Sequence, residues 1–114
     1  APEAWPNTFR QSWFIPAPEL VQADRFRRRC MEYYDELFDG LDAIIGPSYA
    51  DGVLLTTNCT GHPSLTVPVG LKKSGSPHAV TLVGRLFDEG TLIRLGTSLE
   101  SRCWPVAERR SPLG

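Results

Sequence analysis

The sequence predicts an α/β fold: a partial mixed sheet with one hairpin and two main helices. Three features predict it. An apolar rhythm of three- and four-residue steps runs from Glu19 to about Phe38. Two alternating runs flank a turn-rich segment at Lys72–Pro77, and a capped amphipathic stretch begins at Asp88. Their order along the chain is helix, strand, loop, hairpin, helix, the order of an α/β layer.

Residues 1–15 form an aromatic arm. Trp5, Phe9 and Trp13 recur at i, i+4 and i+8, with Phe14 beside them, so a short helix with one aromatic stripe is expected. Such a cluster is expected to rest on a core rather than stand in water. Pro16 and Pro18 break the chain, and Pro18 suits the first turn of a helix. Leu20, Phe26, Cys30, Tyr33, Tyr34, Leu37 and Phe38 then take the apolar positions, and Gly40 is a suitable stop. The run Arg25-Phe26-Arg27-Arg28-Arg29 is read as a solvated helix face, because acids follow within three turns.

Leu41–Ile45, closed by Gly46 and Pro47, reads as a short strand buried on both faces. Residues 48–63 read as a loop of small polar groups with at most one short helical turn. Leu65–Val69 and His78–Val83 alternate at period two, the signature of a hairpin. Pro68 cannot donate to a ladder, so its strand is an edge there or is interrupted. Asp88 is the expected N-cap of a helix over Thr91–Arg102, with Leu92, Leu95, Gly96 and Leu99 on one face. A helical Gly costs about 1 kcal/mol against Ala, so Gly96 predicts a close approach to a neighbour. Pro105–Gly114 reads as loop. Two substantial helices cover one side of three strands well and the other poorly, so part of the core is expected to be missing from the chain.

At 114 residues the chain is one domain. Its 41% apolar and 22% charged residues are those of a globular protein, while ten Gly and ten Pro indicate frequent loops. Twelve basic against thirteen acidic residues give a net charge of −1, which argues against a nucleic-acid binder. No apolar run is long enough for a membrane span, and the first residues lack the pattern of a signal peptide. The chain opens on Ala rather than Met, which leads us to expect a trimmed or excised polypeptide. Three cysteines cannot all pair, so free thiols and a cytoplasmic setting are expected.

No complete active site is visible from the residues alone. Cys59 and His62 lie close in sequence, but a thiolate–imidazole pair is usually assembled from distant segments. The same two residues could begin a metal site, yet no second pair follows at zinc spacing, and no metal or other cofactor is expected. His78 reads as a surface histidine. Asp88 and Glu89 read as partners of a helix dipole. The segment Gly70–Ser76 lacks the spacing of a phosphate loop.

The stretch from Asn58 to Gly70, NCTGHPSLTVPVG, resembles the carboxy-terminal part of the amidase signature family, where an Asn–x–small–Gly–x–Pro run leads into a strand ending Val-Pro-x-Gly. Four other segments resemble that family in the same order. They are Phe14–Arg25, Asp42–Ser48, Thr81–Leu95 and Arg109–Pro112, so the similarity runs over about residues 13–112. The resemblance implies hydrolysis or transfer of an amide by a serine, a second serine in a cis peptide and a lysine. Those residues lie upstream of the segment present here, and no catalytic residue carries over. Lys72 and Lys73 sit in the hairpin loop and are read as solvated.

The resemblance also implies a substrate-side wall. Asp51 stands seven residues before Asn58, where the amidotransferase members of the family place an Asp that binds the amide substrate. Asn58, Thr60, Gly61 and His62 are the remaining pocket candidates. Thr56 and His62 depart from the Pro and Leu of the family pattern. Two functions follow. The chain is the C-terminal portion of an amidase, inactive alone, whose parent takes a small amide substrate. Alternatively it is a non-catalytic remnant that self-associates or docks to a partner. The expected associations are a second copy or the missing amino-terminal part, with no nucleic acid bound directly and no membrane.

Overall fold

The computed structural model describes residues 5–48, 50 and 52–105. The elements in chain order are α1 (Trp5–Ser12), α2 (Ala17–Leu37), β1 (Ala43–Pro47), α3 (Val53–Thr60), β2 (Ser64–Leu71), β3 (Pro77–Gly84) and α4 (Glu89–Cys103). Both main helices, the first strand and the hairpin stand where the sequence pattern puts them, in an α/β arrangement. Pro16, extended at ψ 147°, caps α2, and Glu19 in its first turn complements the helix dipole. Within the arginine run, Arg27 pairs with Asp24 at 2.9 Å and Arg28 with Glu32 at 3.1 Å, both along the helix itself.

The three strands lie in the order β1-β3-β2, and both pairings are antiparallel; no parallel strand is among them. Pro68 sits on the edge strand β2, where a missing N–H is tolerated, and the register slips just after it, between Pro68 and Gly70. Burial of β1 on both faces is not observed. That strand is the opposite edge, hydrogen-bonded on one side only, and Ile45 is 56% exposed. Of its apolar run, Ala43 and Ile44 are half-buried, and Ile45 faces outward with nothing among the described residues over it.

The closed part of the core lies on one face of the sheet. Leu92 of α4 is 2% exposed and packs with Val67 and Leu82, flanked by Ala43, Leu65 and Leu99. Asp88 caps α4 through its carboxylate, which accepts from the Thr91 N–H and from the Thr91 hydroxyl at 2.7 Å. Two glycines set the distance between helix and sheet. A Cβ on Gly84 would stand 2.8 Å from Leu92 Cγ, and a Cβ on Gly96 would run into Leu65 Cδ2. Gly96 therefore meets the expectation of close approach. Leu95 turns away from this contact and is 40% exposed.

The loop expected over residues 48–63 contains a full helix, α3. Its sequence, VLLTTNCT, is poor in strong helix formers, and the hydroxyls of Thr56 and Thr60 are satisfied by carbonyls four residues back, at 2.6 and 2.9 Å. Gly61, left-handed at φ 82°, ends the helix with its N–H on the Thr57 carbonyl. The aromatic arm does form α1, yet it does not rest on this chain's core. Trp5, Phe9, Trp13 and Phe14 are 61–87% exposed. The radius of gyration is 18.0 Å, against about 13 Å for a compact chain of this length.

Replacing Gly96 with Val should destabilise the chain by about 1–3 kcal/mol, because Leu65 and Val67 must move to admit the side chain. Denaturant unfolding of both proteins measures the difference.

Candidate functional site

The turn from α3 into β2 carries most of the residues singled out in the sequence. Thr60 and His62 point inward and are 2% and 5% exposed. The Thr60 hydroxyl donates to the Thr56 carbonyl, so its remaining lone pairs accept from His62 Nδ1–H at 2.8 Å, which fixes the imidazole as the Nδ1–H tautomer. The ring stacks on Phe38 at 16° with centroids 5.6 Å apart, and Tyr34 tilts against it at 5.0 Å. Burial lowers the His62 pKa from 6.5, partly opposed by the Asp35 carboxylate. His62 thus joins the end of α3 to the last turn of α2 as a neutral ring.

Asn58 points the other way, on the exposed side of α3, and Gly61 is exposed at the turn. Asp51 lies outside the described residues. The structure therefore brings Thr60 and His62 together and leaves Asn58 apart from them. Cys59 is a free, exposed thiol, and among the described residues no hydrogen bond joins it to His62. Its carbonyl instead accepts from Arg27 Nη1 at 3.5 Å. Cys30 and Cys103 are also free. Lys72 and Lys73 are exposed in the β2–β3 loop. Among the described residues no group of three or more His, Cys, Asp or Glu is placed to hold a metal ion.

A second feature carries no motif in the sequence. Between α3 and the sheet face turned away from α4 lies a cleft of about 330 Å³. Its floor is a row of hydroxyls running across the strands. Thr66 and Thr81 Oγ1 are 2.9 Å apart, and Thr81 donates to Ser48 Oγ at 3.3 Å. Ser64 and Thr57 add to the lining, with Val53, Leu54 and Pro47 as apolar walls. The alternation that predicts the hairpin holds the signal, because Thr66 faces Thr81 in register and both lie opposite the Leu65–Leu82 face. The cleft can hold a small group by hydrogen bonds, but the described lining supplies no base to activate a nucleophile.

The chain matches no protein-family model. It is 33% identical to the A subunit of the glutamyl-tRNA(Gln) amidotransferase of Anaeromyxobacter sp. (strain K) over 81% of its own length and 23% of that protein's. It is 29% identical to the fatty acid amide hydrolase of Oryza sativa subsp. indica over 82% of its length and 19% of that protein's. The chain belongs to the amidase signature family. Among solved structures, this amidase-signature chain superposes on an amidase family protein from Bacillus anthracis str. Ames with a TM-score of 0.71, at 24% identity, covering 86% of this chain and 19% of the other. The A subunit of the glutamyl-tRNA(Gln) amidotransferase of Thermotoga maritima gives 0.68 at 22% identity, covering 91% and 28%. The chain thus spans about a fifth of the length of the curated relatives it matches. No helix among its described residues is long and apolar enough to cross a membrane.

Thr60→Val keeps the shape of the turn but leaves buried His62 Nδ1–H without an acceptor. The expected loss is about 1–3 kcal/mol of unfolding free energy, read by denaturant titration at neutral pH.

Proposed function

We propose that this chain is the C-terminal portion of an amidase-signature amidohydrolase. The parent cleaves a carbon–nitrogen amide bond with a serine, a cis-peptide serine and a lysine that lie outside this chain, and the chain alone is inactive. The observation that carries the reading is the match of most of this chain to a fifth of proteins named for amide hydrolysis and amidotransfer. Attack on an amide carbonyl needs an activated nucleophile and donors for the oxyanion. The hydroxyls in the cleft bond to one another instead, and both lysines of the described residues stand in an exposed loop. The part played here is that of a wall: Asp51 and exposed Asn58 orient a small amide, buried Thr60 and His62 hold the turn at Gly61 in place, and the reactive groups arrive from the rest of the parent.

The exposed apolar surface supports the same reading. Phe87 is 91% exposed and holds a left-handed φ of 63°, an uncommon conformation for an aromatic residue. Together with the outward rings of α1 and the uncovered Ile45, it asks for a neighbour. The parent polypeptide is the neighbour we assign, rather than a second copy of the chain. Three free cysteines suit a reducing compartment, and the cytoplasm is the proposed location.

The test is turnover of a simple aryl amide. The pure 114-residue chain should show none above buffer, and joining it to the coding sequence upstream should give an active enzyme. Turnover by the isolated chain would overturn the reading. An upstream-joined protein that folds and yet never turns over an amide would favour the non-catalytic docking module instead.

A further inference from the structure

We propose that His62 is a positioning residue that acts as a pH-sensitive latch, holding α3 against α2 and so setting the wall of the hydroxyl cleft. The geometry has two parts. In the neutral state the ring stacks on Phe38 and lies against the tilted ring of Tyr34, both at the α2 end, and its Nδ1–H reaches Thr60 at the last turn of α3. Thr60 passes that hold along the helix to the Thr56 carbonyl, and Thr57, one residue further, lines the cleft.

The second part is where the ring could go. His62 borders a surface hollow of about 600 Å³ lined by Asp35, Glu36 and Asp39 from the α2 end and by Arg85 from the β3–α4 turn. Nε2 makes no hydrogen bond among the described residues. Once protonated, Nε2–H pairs best with an anionic acceptor, which the neighbouring aromatic rings do not offer and the carboxylates lining the hollow do. The charged ring is then drawn from the stack toward the hollow, and the hold on Thr60 is given up. The facing groups from α3 do not compete: Cys59 is exposed, and Arg27 of α2 is engaged with Asp24 and the Cys59 carbonyl.

The direction in pH follows. Burial sets the folded value below 6.5, so the unfolded chain takes up the proton first. The latch contributes fully above 6.5 and is lost as pH falls through the lower folded value. Asp35 opposes the shift, so neutralising it moves the folded value further down.

The experiment follows the His62 imidazole C–H by NMR and the melting temperature across about pH 7.5 to 5, in the wild type, His62→Leu and Asp35→Asn. The expected results are a His62 midpoint below 6.5, a lower one in Asp35→Asn, and a melting temperature that falls more steeply with acid in the wild type than in His62→Leu. A midpoint at or above 6.5, or parallel melting curves, overturns the latch. These readouts need no activity, although the link to catalysis rests on the amidase reading. In the upstream-joined enzyme, KM should rise in acid with kcat less affected, and His62→Leu should flatten the KM profile. Identical KM profiles overturn the positioning role, whereas an inactive enzyme with the melting difference intact overturns the amidase reading and leaves the latch standing.

Discussion

The close seat of α4 on the hairpin is the constraint from which the rest of the structure follows. It exists because two positions have no side chain. Gly84 lets Leu92 lie directly on β3, and Gly96 lets the helix backbone descend onto Leu65 and Val67. Burying one such leucine is worth about 1.5–3 kcal/mol, and few are buried here. Among the described residues the fully buried apolar side chains are Phe38, Val67, Leu82, Val83 and Leu92. Val67, Leu82 and Leu92 form the cluster on the α4 side, while Val83 shares the other face with the hydroxyl row, which leaves most of that face to different work.

On that other face the sheet is polar where it meets α3. A hydroxyl row crossing the strands would be a poor core but is a serviceable floor for a ligand, because each group can donate or accept by rotating. What keeps α3 above this floor is not a broad apolar contact. It is a few local links: the Gly61 turn, the Arg27 bond to the Cys59 carbonyl, and the His62 ring packed against Tyr34 and Phe38. A helix held this way is positioned more by geometry than by buried area, which makes it sensitive to a single proton or a single lost hydroxyl.

Much of this is legible in the sequence where a period is long or a residue chemically unambiguous. Pro18, Asp88 and Gly96 mark α2 and α4 by mechanisms that depend on the residue itself, and the edge position of Pro68 follows from its missing N–H. What is not legible falls into two kinds. The α3 segment is hidden because threonines have weak helix propensity, and their hydroxyls, turned back onto carbonyls four residues earlier, leave no periodic trace. The second kind arises at β1 and the aromatic arm, where apolar patterning suggests burial by the same chain. Hydrophobicity reports that a surface wants cover; it does not say which polypeptide provides it. The site suffers likewise. Asn58, Thr60, Gly61 and His62 lie within five residues of one another, yet a helix end sends Asn58 outward and Thr60 inward.

That outward apolar surface bears on how the family's chemistry is divided. An amide is a resonance-stabilised bond, and its cleavage depends on placing nucleophile, proton donor and oxyanion donors within fractions of an ångström. A wall carried on a sheet with two open edges cannot hold such tolerances by itself, since edge strands and a thin core open locally at low cost. On the proposed reading, rigidity arrives with neighbouring strands that close the edges and a second layer that covers Ile45, Phe87 and the rings of α1. On that reading, the same polypeptide that supplies the serine and lysine supplies that cover. Assembly of the fold and assembly of the active site are then one event, and the substrate wall acquires its final geometry only in the presence of the groups it serves.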